Sequence, residues 1–208
     1  MSGVPLEAQR LECVRDNVVL FSDLSFQVET GSITQIMGAN GSGKTSLLRI
    51  LTGIMPAESG RVLWFGQTIG KQRVEYGAAL TFIGHLPGIK SQLTPLENLA
   101  WLAPEASVEA CNLALRELGL SGFEDSPCYR LSAGQKRRVA LARLYVQQRP
   151  LWILDEPFTS LDKNGVSKIE ALLCAHTQAG GMVILTTHHE FALDSACVRE
   201  VMLGTALC

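Results

Sequence analysis

Eight consecutive residues constrain the fold of this chain more than any other feature. They fit the pattern GxxxxGK[ST] and are Gly38, Ala39, Asn40, Gly41, Ser42, Gly43, Lys44 and Thr45. A short apolar run, residues 32–37, precedes them, and residues 44–52 repeat leucine with a helical period. Glycines let consecutive backbone N–H groups surround phosphate oxygens, and the following helix directs its positive end at the same place. The pattern predicts a strand, a phosphate-binding loop and a helix, with Lys44 reaching the β- and γ-phosphates of a nucleotide and Thr45 holding Mg²⁺.

Short β-like runs alternate with helix-like runs along the rest of the chain, which predicts an α/β fold. The expected strands are residues 18–28, 32–37, 61–65, 80–83, 151–154 and 182–187, and the expected helices are residues 44–52, 95–101, 107–118, 132–148 and 165–175. Residues 86–149 contain no strand-like run. We therefore expect one domain over residues 1–208. It would combine a P-loop (RecA-like), mostly parallel sheet with a small antiparallel β subdomain and an inserted helical subdomain at about 86–149.

Composition excludes several classes of function. The 208 residues carry a formal net charge of −2, which gives no electrostatic footprint for nucleic acid or anionic lipid. No apolar stretch approaches the roughly 18 residues that a membrane span needs, and the first residues have no secretory h-region. The six cysteines form no CxxC pair, so we expect reduced cysteines rather than a disulfide framework or a metal cluster.

Two buried strands end in residues that suit phosphate chemistry. Residues 151–154 are wholly apolar, and Asp155 and Glu156 follow them directly. Open α/β sheets bind ligands at the carboxyl ends of their strands, so Asp155 is expected to position Mg²⁺ and Glu156 to polarise the water that attacks a γ-phosphate. His188 follows the strand at 183–187 and is expected to contact the γ-phosphate or that water. We prefer it to His189, because adjacent strand residues face opposite sides.

A second helix start carries features of an anion site. Residues 131–135 are Leu-Ser-Ala-Gly-Gln, and a basic run, residues 136–138, follows them. Ser132 is a good N-cap residue, and the loop leaves backbone N–H groups free at the start of a helix. Because the chain has only one phosphate loop, a single nucleotide would use both helix ends only if they came from two copies of the protein.

Together these motifs resemble the nucleotide-binding subunits of ABC transporters, over residues of about 11 to 203. The resemblance includes the motif order and the loop Ser160-Leu161-Asp162 before His188. It implies a head-to-tail homodimer that sandwiches two ATP molecules with Mg²⁺ and drives attached membrane subunits. It also assigns contacts to ATP in the partner's site to the signature residues Ser132, Ala133, Gly134 and Gln135. Asp162 is then expected to link the two sites.

The sequence departs from the family pattern at three places. Alanine stands at position 133, where glycine is commoner in the family, and slower hydrolysis is one expected consequence. No aromatic residue lies near Val14 to stack on adenine, so base selectivity is open and any stacking would come from Arg15. His85 occupies the position of the usual glutamine. Either it takes over that residue's metal and water contacts, or it is plain loop.

A narrower resemblance is to the ATP-binding subunits of the haem exporter in bacterial cytochrome c maturation. It rests on the short length, on Arg15, on residues 84–90 (Gly-His-Leu-Pro-Gly-Ile-Lys) and on the run that begins at Leu131. It implies integral membrane partners of the CcmB and CcmC type and a peripheral position on the cytoplasmic face of the inner membrane. We expect no direct haem site, because His176 and the cysteines lie in ordinary helical or terminal contexts.

Three other functions remain as alternatives. The chain could serve another ABC exporter or importer, since these share the same motifs. A soluble ABC ATPase of repair or translation would usually carry two cassettes, a coiled-coil insertion or a basic patch, none of which this sequence has. A non-hydrolysing nucleotide switch is disfavoured by the presence of Lys44, Asp155 and Glu156.

Overall fold

The computed structural model describes residues 5–189 and 198–204. The strands in these residues are β1 Leu6–Arg15, β2 Val18–Val28, β3 Ile33–Met37, β4 Ser59–Trp64, β5 Gln67–Thr68, β6 Leu80–Ile83, β7 Leu151–Asp155, β8 Met182–Thr186 and β9 Val198–Met202. The helices are α1 Lys44–Leu51, α2 Arg73–Ala79, α3 Pro95–Leu102, α4 Val108–Glu117, α5 Ala133–Val146 and α6 Lys163–Gln178. Short 3₁₀ turns lie at Ile69–Lys71 and Cys128–Arg130. The chain divides into two compact units, one holding both sheets and the other comprising residues 83–148 and 156–173.

The first unit contains a five-stranded sheet in the order β6-β7-β8-β3-β9. β3 pairs in parallel with β8 and β9, and β7 pairs in parallel with β8. Every residue of β7 and β8 is buried, as expected for apolar runs covered on both faces. The register aligns Asp155 with Thr186, so the last residues of these two strands lie side by side at the carboxyl edge of the sheet.

The second sheet of the first unit is antiparallel, in the order β2-β1-β4-β5. β1 buries alternate residues, and its buried side chains join a core with leucines of α1. The alternation breaks at Arg10, where φ is +47° and the pairing with β2 shifts register between Ala8 and Leu11. A bulge of this kind bends the strand and increases its local twist.

The second unit is helical, and its helices begin at well-formed caps. Thr94 and Ser132 each form a capping box with the Glu or Gln three residues later. Ser107 accepts a hydrogen bond from the backbone N–H of Ala110 and caps α4. Buried Asn98 bonds both the N–H and the carbonyl of Lys90, which fixes the loop before α3.

The expected α/β fold with a parallel sheet and an antiparallel sheet is confirmed. The expected strands and helices are present within a few residues of their bounds, and residues 86–149 contain no strand. The sequence analysis missed β1, β5, β9 and α2. Within the described residues, no helix has both the length and the apolar character needed to cross a membrane.

His176 and Trp152 form a stacked ring pair in the first unit. Their ring centroids are 3.6 Å apart and their planes differ by 5°. Burial lowers the pKa of His176 below its ordinary 6.5, since the charged form is desolvated. Hydrogen bonds to the backbone at Pro150 and Met182 act in the opposite direction, but burial is the larger effect.

We predict that protonation of His176 destabilises the fold. The unfolded chain binds the proton more readily than the folded chain, so the free energy of unfolding falls as pH drops below about 6.5. Urea denaturation between pH 7.5 and 5.5 measures this slope. The variant His176→Phe keeps a ring against Trp152 and is expected to lose part of the slope. An unchanged slope in the variant would contradict the role given to His176.

Candidate functional site

The glycine-rich loop lies between β3 and α1 and is shaped by glycines in backbone conformations that other residues resist. Gly41 and Gly43 have φ of +84° and +95°. Gly38 has φ of +150°, and a Cβ there would lie 2.6 Å from Ser42 Oγ, so a side chain at that position would also be strained. None of the described side chains caps α1 at Gly43. The N–H groups of its first turn are therefore available to an anion.

Lys44 and Ser42 place polar atoms within this loop. The Lys44 ammonium donates to the carbonyls of Gly38 at 2.7 Å and of Ala39 at 3.1 Å, which holds its charge against the loop. Ser42 Oγ is buried and has no hydrogen-bond partner in the described part of the chain. A cation, an orphaned hydroxyl and open backbone N–H groups fit the oxygens of a bound phosphate. The remaining loop residues, Asn40 among them, are exposed or half-buried.

Asp155 lies at the carboxyl end of β7 and is only 2% exposed. Its Oδ2 accepts a hydrogen bond of 2.9 Å from Thr45 Oγ1, at the start of α1. Its Oδ1 accepts one of 2.7 Å from Thr186 Oγ1, at the end of β8. The sequence predicted Thr45 and Asp155 in one site, and the fold brings them together across 110 residues of chain. The contact with Thr186 was not foreseen.

A hydroxyl beside a carboxylate is an oxygen donor set that fits Mg²⁺. Within residues 5–189 and 198–204, no group of three or more His, Cys, Asp or Glu residues could hold a metal ion. Magnesium usually takes one or two protein ligands and completes its shell with phosphate oxygens and water. Thr45 and Asp155 therefore fit the expected metal.

The two histidines after β8 differ in their surroundings. His188 is exposed, whereas His189 is half-buried and its backbone N–H donates to Thr187 Oγ1 at 2.9 Å. Gln35 Nε2 lies 3.5 Å from the carbonyl of Thr187 and links this segment to β3. The preference for His188 over His189 stays a prediction. Arg15 was the residue expected to supply any stacking on the adenine base. Its Nη1 lies 3.4 Å from Met55 Sδ.

The residues 132–135 begin α5 in the second unit. Ser132 Oγ accepts the N–H of Gln135 at 3.2 Å, and Gln135 Oε1 accepts the N–H of Ser132 at 2.9 Å. Both side chains are thus used in capping, while Ser132 and Ala133 are exposed. Gly134 approaches the loop after β7 closely, since a Cβ there would lie 2.8 Å from the carbonyl oxygen of Ser160.

The turn that begins at Glu156 has an unusual backbone. Glu156 and Ser160 have φ of +51° and +65°, conformations that cost a residue with a side chain roughly 1 kcal/mol or more. The Glu156 carbonyl accepts the N–H of Thr159 at 3.3 Å and Arg137 Nη2 at 2.8 Å. Asp162 Oδ1 accepts the N–H of Gly165 at 2.8 Å and caps α6, a role the sequence did not foresee.

His85 is exposed, and its carbonyl lies 3.5 Å from Arg137 Nη1. The same nitrogen donates to the carbonyl of Gly84 at 2.6 Å. Arg137 is 4% exposed and was not among the predicted site residues. No local signal in the sequence singles it out, because its partners Gly84 and Glu156 lie 53 and 19 residues away along the chain.

A match to the family model described as ABC transporter covers residues 21–159. The chain belongs to the ABC transporter family. The "Cytochrome c biogenesis ATP-binding export protein CcmA" of Pseudomonas fluorescens (strain Pf0-1) is 51% identical over 207 residues, which are 98% of both chains. The protein of the same name from Escherichia coli (strain K12) is 50% identical over 198 residues, 95% of this chain and 96% of that one. A solved structure titled "Structure of ATP binding subunit of ABC transporter" has a TM-score of 0.82 at 24% identity, over 97% of this chain and 90% of that one, and shows the shared fold.

The close approach at Gly134 yields a stability prediction. A change from glycine to alanine near the start of a helix usually stabilises the helix. Here the added methyl would clash with the Ser160 carbonyl. Gly134→Ala is therefore expected to destabilise the protein by roughly 1–3 kcal/mol. Thermal unfolding measures the effect. The matched control is Ala133→Gly, which changes one exposed methyl on the adjacent residue and costs at most about 1 kcal/mol. A Gly134→Ala variant as stable as the parent would refute the close approach.

Proposed function

We propose that this chain is the ATP-hydrolysing subunit of an ABC export complex that acts in cytochrome c biogenesis. The observation that carries the ATPase assignment is the hydrogen bond between Thr45 at the phosphate loop and buried Asp155. The assignment to cytochrome c biogenesis is based on the two relatives, which are 51% and 50% identical to this chain. The name of each relative states that function. The cargo we propose is haem, handed to a chaperone outside the membrane.

In this proposal, the residues of the phosphate loop, Gly38 to Thr45, bind the phosphates of ATP. Lys44 neutralises charge on the β- and γ-phosphates, and Thr45 and Asp155 would hold Mg²⁺, which supplies further neutralisation there. Glu156 accepts a proton from the attacking water, and His188 orients the γ-phosphate or that water. A base next to a Mg²⁺ ligand suits phosphoryl transfer, in which positioning and electrostatics supply most of the catalysis.

We further propose that two copies act as a homodimer. Ser132, Ala133, Gly134 and Gln135 of one copy would then face the ATP of its partner, with Asp162 linking the two sites and His85 serving in place of the family's glutamine. Because side chains cap α5 at Ser132 and Gln135, the backbone N–H groups that remain are the groups available to a phosphate. Residues 1–208 form one ABC-type domain in this proposal, with the helical subdomain at about 86–149.

The proposed membrane partners are integral subunits of the CcmB and CcmC type, which would place the chain at the cytoplasmic face of the inner membrane. The second unit exposes large apolar side chains that suit such a partner, including Leu86 at 79% and Trp101 at 58% exposure. Lys90 lies 3.8 Å from the centroid of the Trp101 ring, which keeps the ring oriented on the surface. No binding of nucleic acid and no direct haem contact is proposed.

Two substitutions test the hydrolysis mechanism. Lys44→Ala is expected to abolish ATP turnover, since the charge at the phosphates is lost. Glu156→Gln removes the proton acceptor but keeps the shape, so it should bind ATP, hydrolyse it very slowly and accumulate a dimer. Steady-state ATPase assays and size-exclusion chromatography with ATP measure both effects. Full turnover in both variants would contradict the mechanism.

Co-purification tests the biological role. The Glu156→Gln variant, tagged and trapped with ATP in native membranes, is expected to retain its membrane partners for mass spectrometry. Recovery of cytochrome c maturation subunits supports the proposal. Recovery of a different permease keeps the ABC mechanism and removes the haem assignment. A trapped dimer with no membrane protein favours the alternative of a soluble ABC ATPase.

A further inference from the structure

Arg137 places a buried guanidinium among backbone carbonyls of two separate chain segments. Nη1 donates to the carbonyl of Gly84 at 2.6 Å and lies 3.5 Å from that of His85. Nη2 donates to the carbonyl of Glu156 at 2.8 Å. All of these residues belong to the helical unit, and Arg137 itself is 4% exposed. Burial of a guanidinium is costly, so the bonds to these carbonyls are needed to hold it there.

The guanidinium is suited to this place by its geometry as well as its charge. It is a rigid planar fork, so its two terminal nitrogens can bond acceptors from two segments at a fixed separation. A lysine ammonium is a point charge on a flexible stem and would not fix that separation. Arg137 therefore sets the distance between the peptide of Gly84 and the peptide of Glu156.

Glu156 needs such support because its backbone is strained. Its φ of +51° is in the left-handed region, where a side chain with a Cβ is disfavoured. Apart from Arg137, the Glu156 carbonyl accepts the N–H of Thr159 at the longer distance of 3.3 Å. Rotation of this peptide would move the Glu156 side chain, and displacement of a catalytic group by about 1 Å is enough to slow a reaction about a hundredfold.

We propose that Arg137 is a positioning residue for ATP hydrolysis, which acts by holding the Glu156 peptide and the 84–85 turn in one fixed frame. The inference rests on the proposed function and adds to it a buried residue that bonds backbone carbonyls on both segments. Through this frame, a shift of the 84–85 turn moves Glu156. The rate of hydrolysis thereby depends on the conformation of the loop that contains His85.

The test measures ATP turnover by the full chain in the complex purified from membranes. Arg137→Gln is expected to lower kcat about ten- to a hundredfold and to leave KM for ATP within about twofold, because the buried guanidinium bonds backbone carbonyls. Arg137→Lys keeps the charge without the fork and should recover only part of kcat. If Arg137→Gln fails to fold, the lysine variant carries the same test of kcat against KM.

A double-mutant cycle separates positioning from a general loss of structure. In the Glu156→Gln background, the added Arg137→Gln should cause no further loss in single-turnover rate, because the group it positions has already been removed. A structural defect would instead lower both rates by the same factor. The control is Arg116→Gln, another arginine of the helical unit, which is exposed in the last turn of α4. Its kcat should equal that of the parent.

Three results would overturn the inference: an unchanged kcat in Arg137→Gln, an equal loss in the Glu156→Gln background, or an equal loss in Arg116→Gln. Each of these is distinct from failure of the proposed function. That failure would appear as full turnover in Lys44→Ala, measured in the same preparation. Loss of turnover in Lys44→Ala and Glu156→Gln together with normal turnover in Arg137→Gln would remove this inference alone.

Discussion

The buried carboxylate of Asp155 joins three elements of the first unit at one point. Thr45 at the start of α1 and Thr186 at the end of β8 donate to its two oxygens, and the carboxylate itself ends β7. A charge only 2% exposed requires such partners, because an unpaired carboxylate in this place would be costly. The phosphate loop is therefore anchored to the strand edge by the same oxygens that suit a magnesium ion. The hydrogen bonds of Asp155 therefore contribute both to the stability of the first unit and to the arrangement of the site.

In the second unit, the backbone determines the geometry to a greater extent than the side chains. Glu156 and Ser160 adopt positive φ, and the carbonyl of Ser160 leaves no space for a methyl on Gly134. This unit consists of two chain segments, residues 83–148 and 156–173. Arg137 donates hydrogen bonds to a carbonyl in each of them, that of Gly84 and that of Glu156. Strain of this kind persists only where neighbours over-determine it, and it recurs at functional sites. Here it occurs at Glu156, whose carbonyl accepts a hydrogen bond from Arg137 of α5.

The sequence predicted those parts of the molecule that local pattern determines. Apolar runs such as 151–154 fix buried parallel strands, and the loop glycines fix a turn that few other residues can form. β1 was missed because Glu7, Arg10 and Glu12 obscure its alternation and a bulge interrupts it, while its partner β4 lies some fifty residues away. The contacts of Thr186 and Arg137 depend on tertiary packing, and no local pattern encodes them. The placement of Thr45 and Asp155 in one site was predicted because two motifs, rather than one, indicated the same edge of the sheet.

Two departures from the family pattern, at positions 133 and 85, leave the backbone contacts around them unchanged in kind. Ala133 is exposed at the start of α5, so its methyl group lies at the protein surface. The neighbouring Gly134 has no space for a methyl group. Arg137 contacts the carbonyls of Gly84 and His85, groups that every residue type possesses. Position 85 can therefore exchange its side chain without loss of this link.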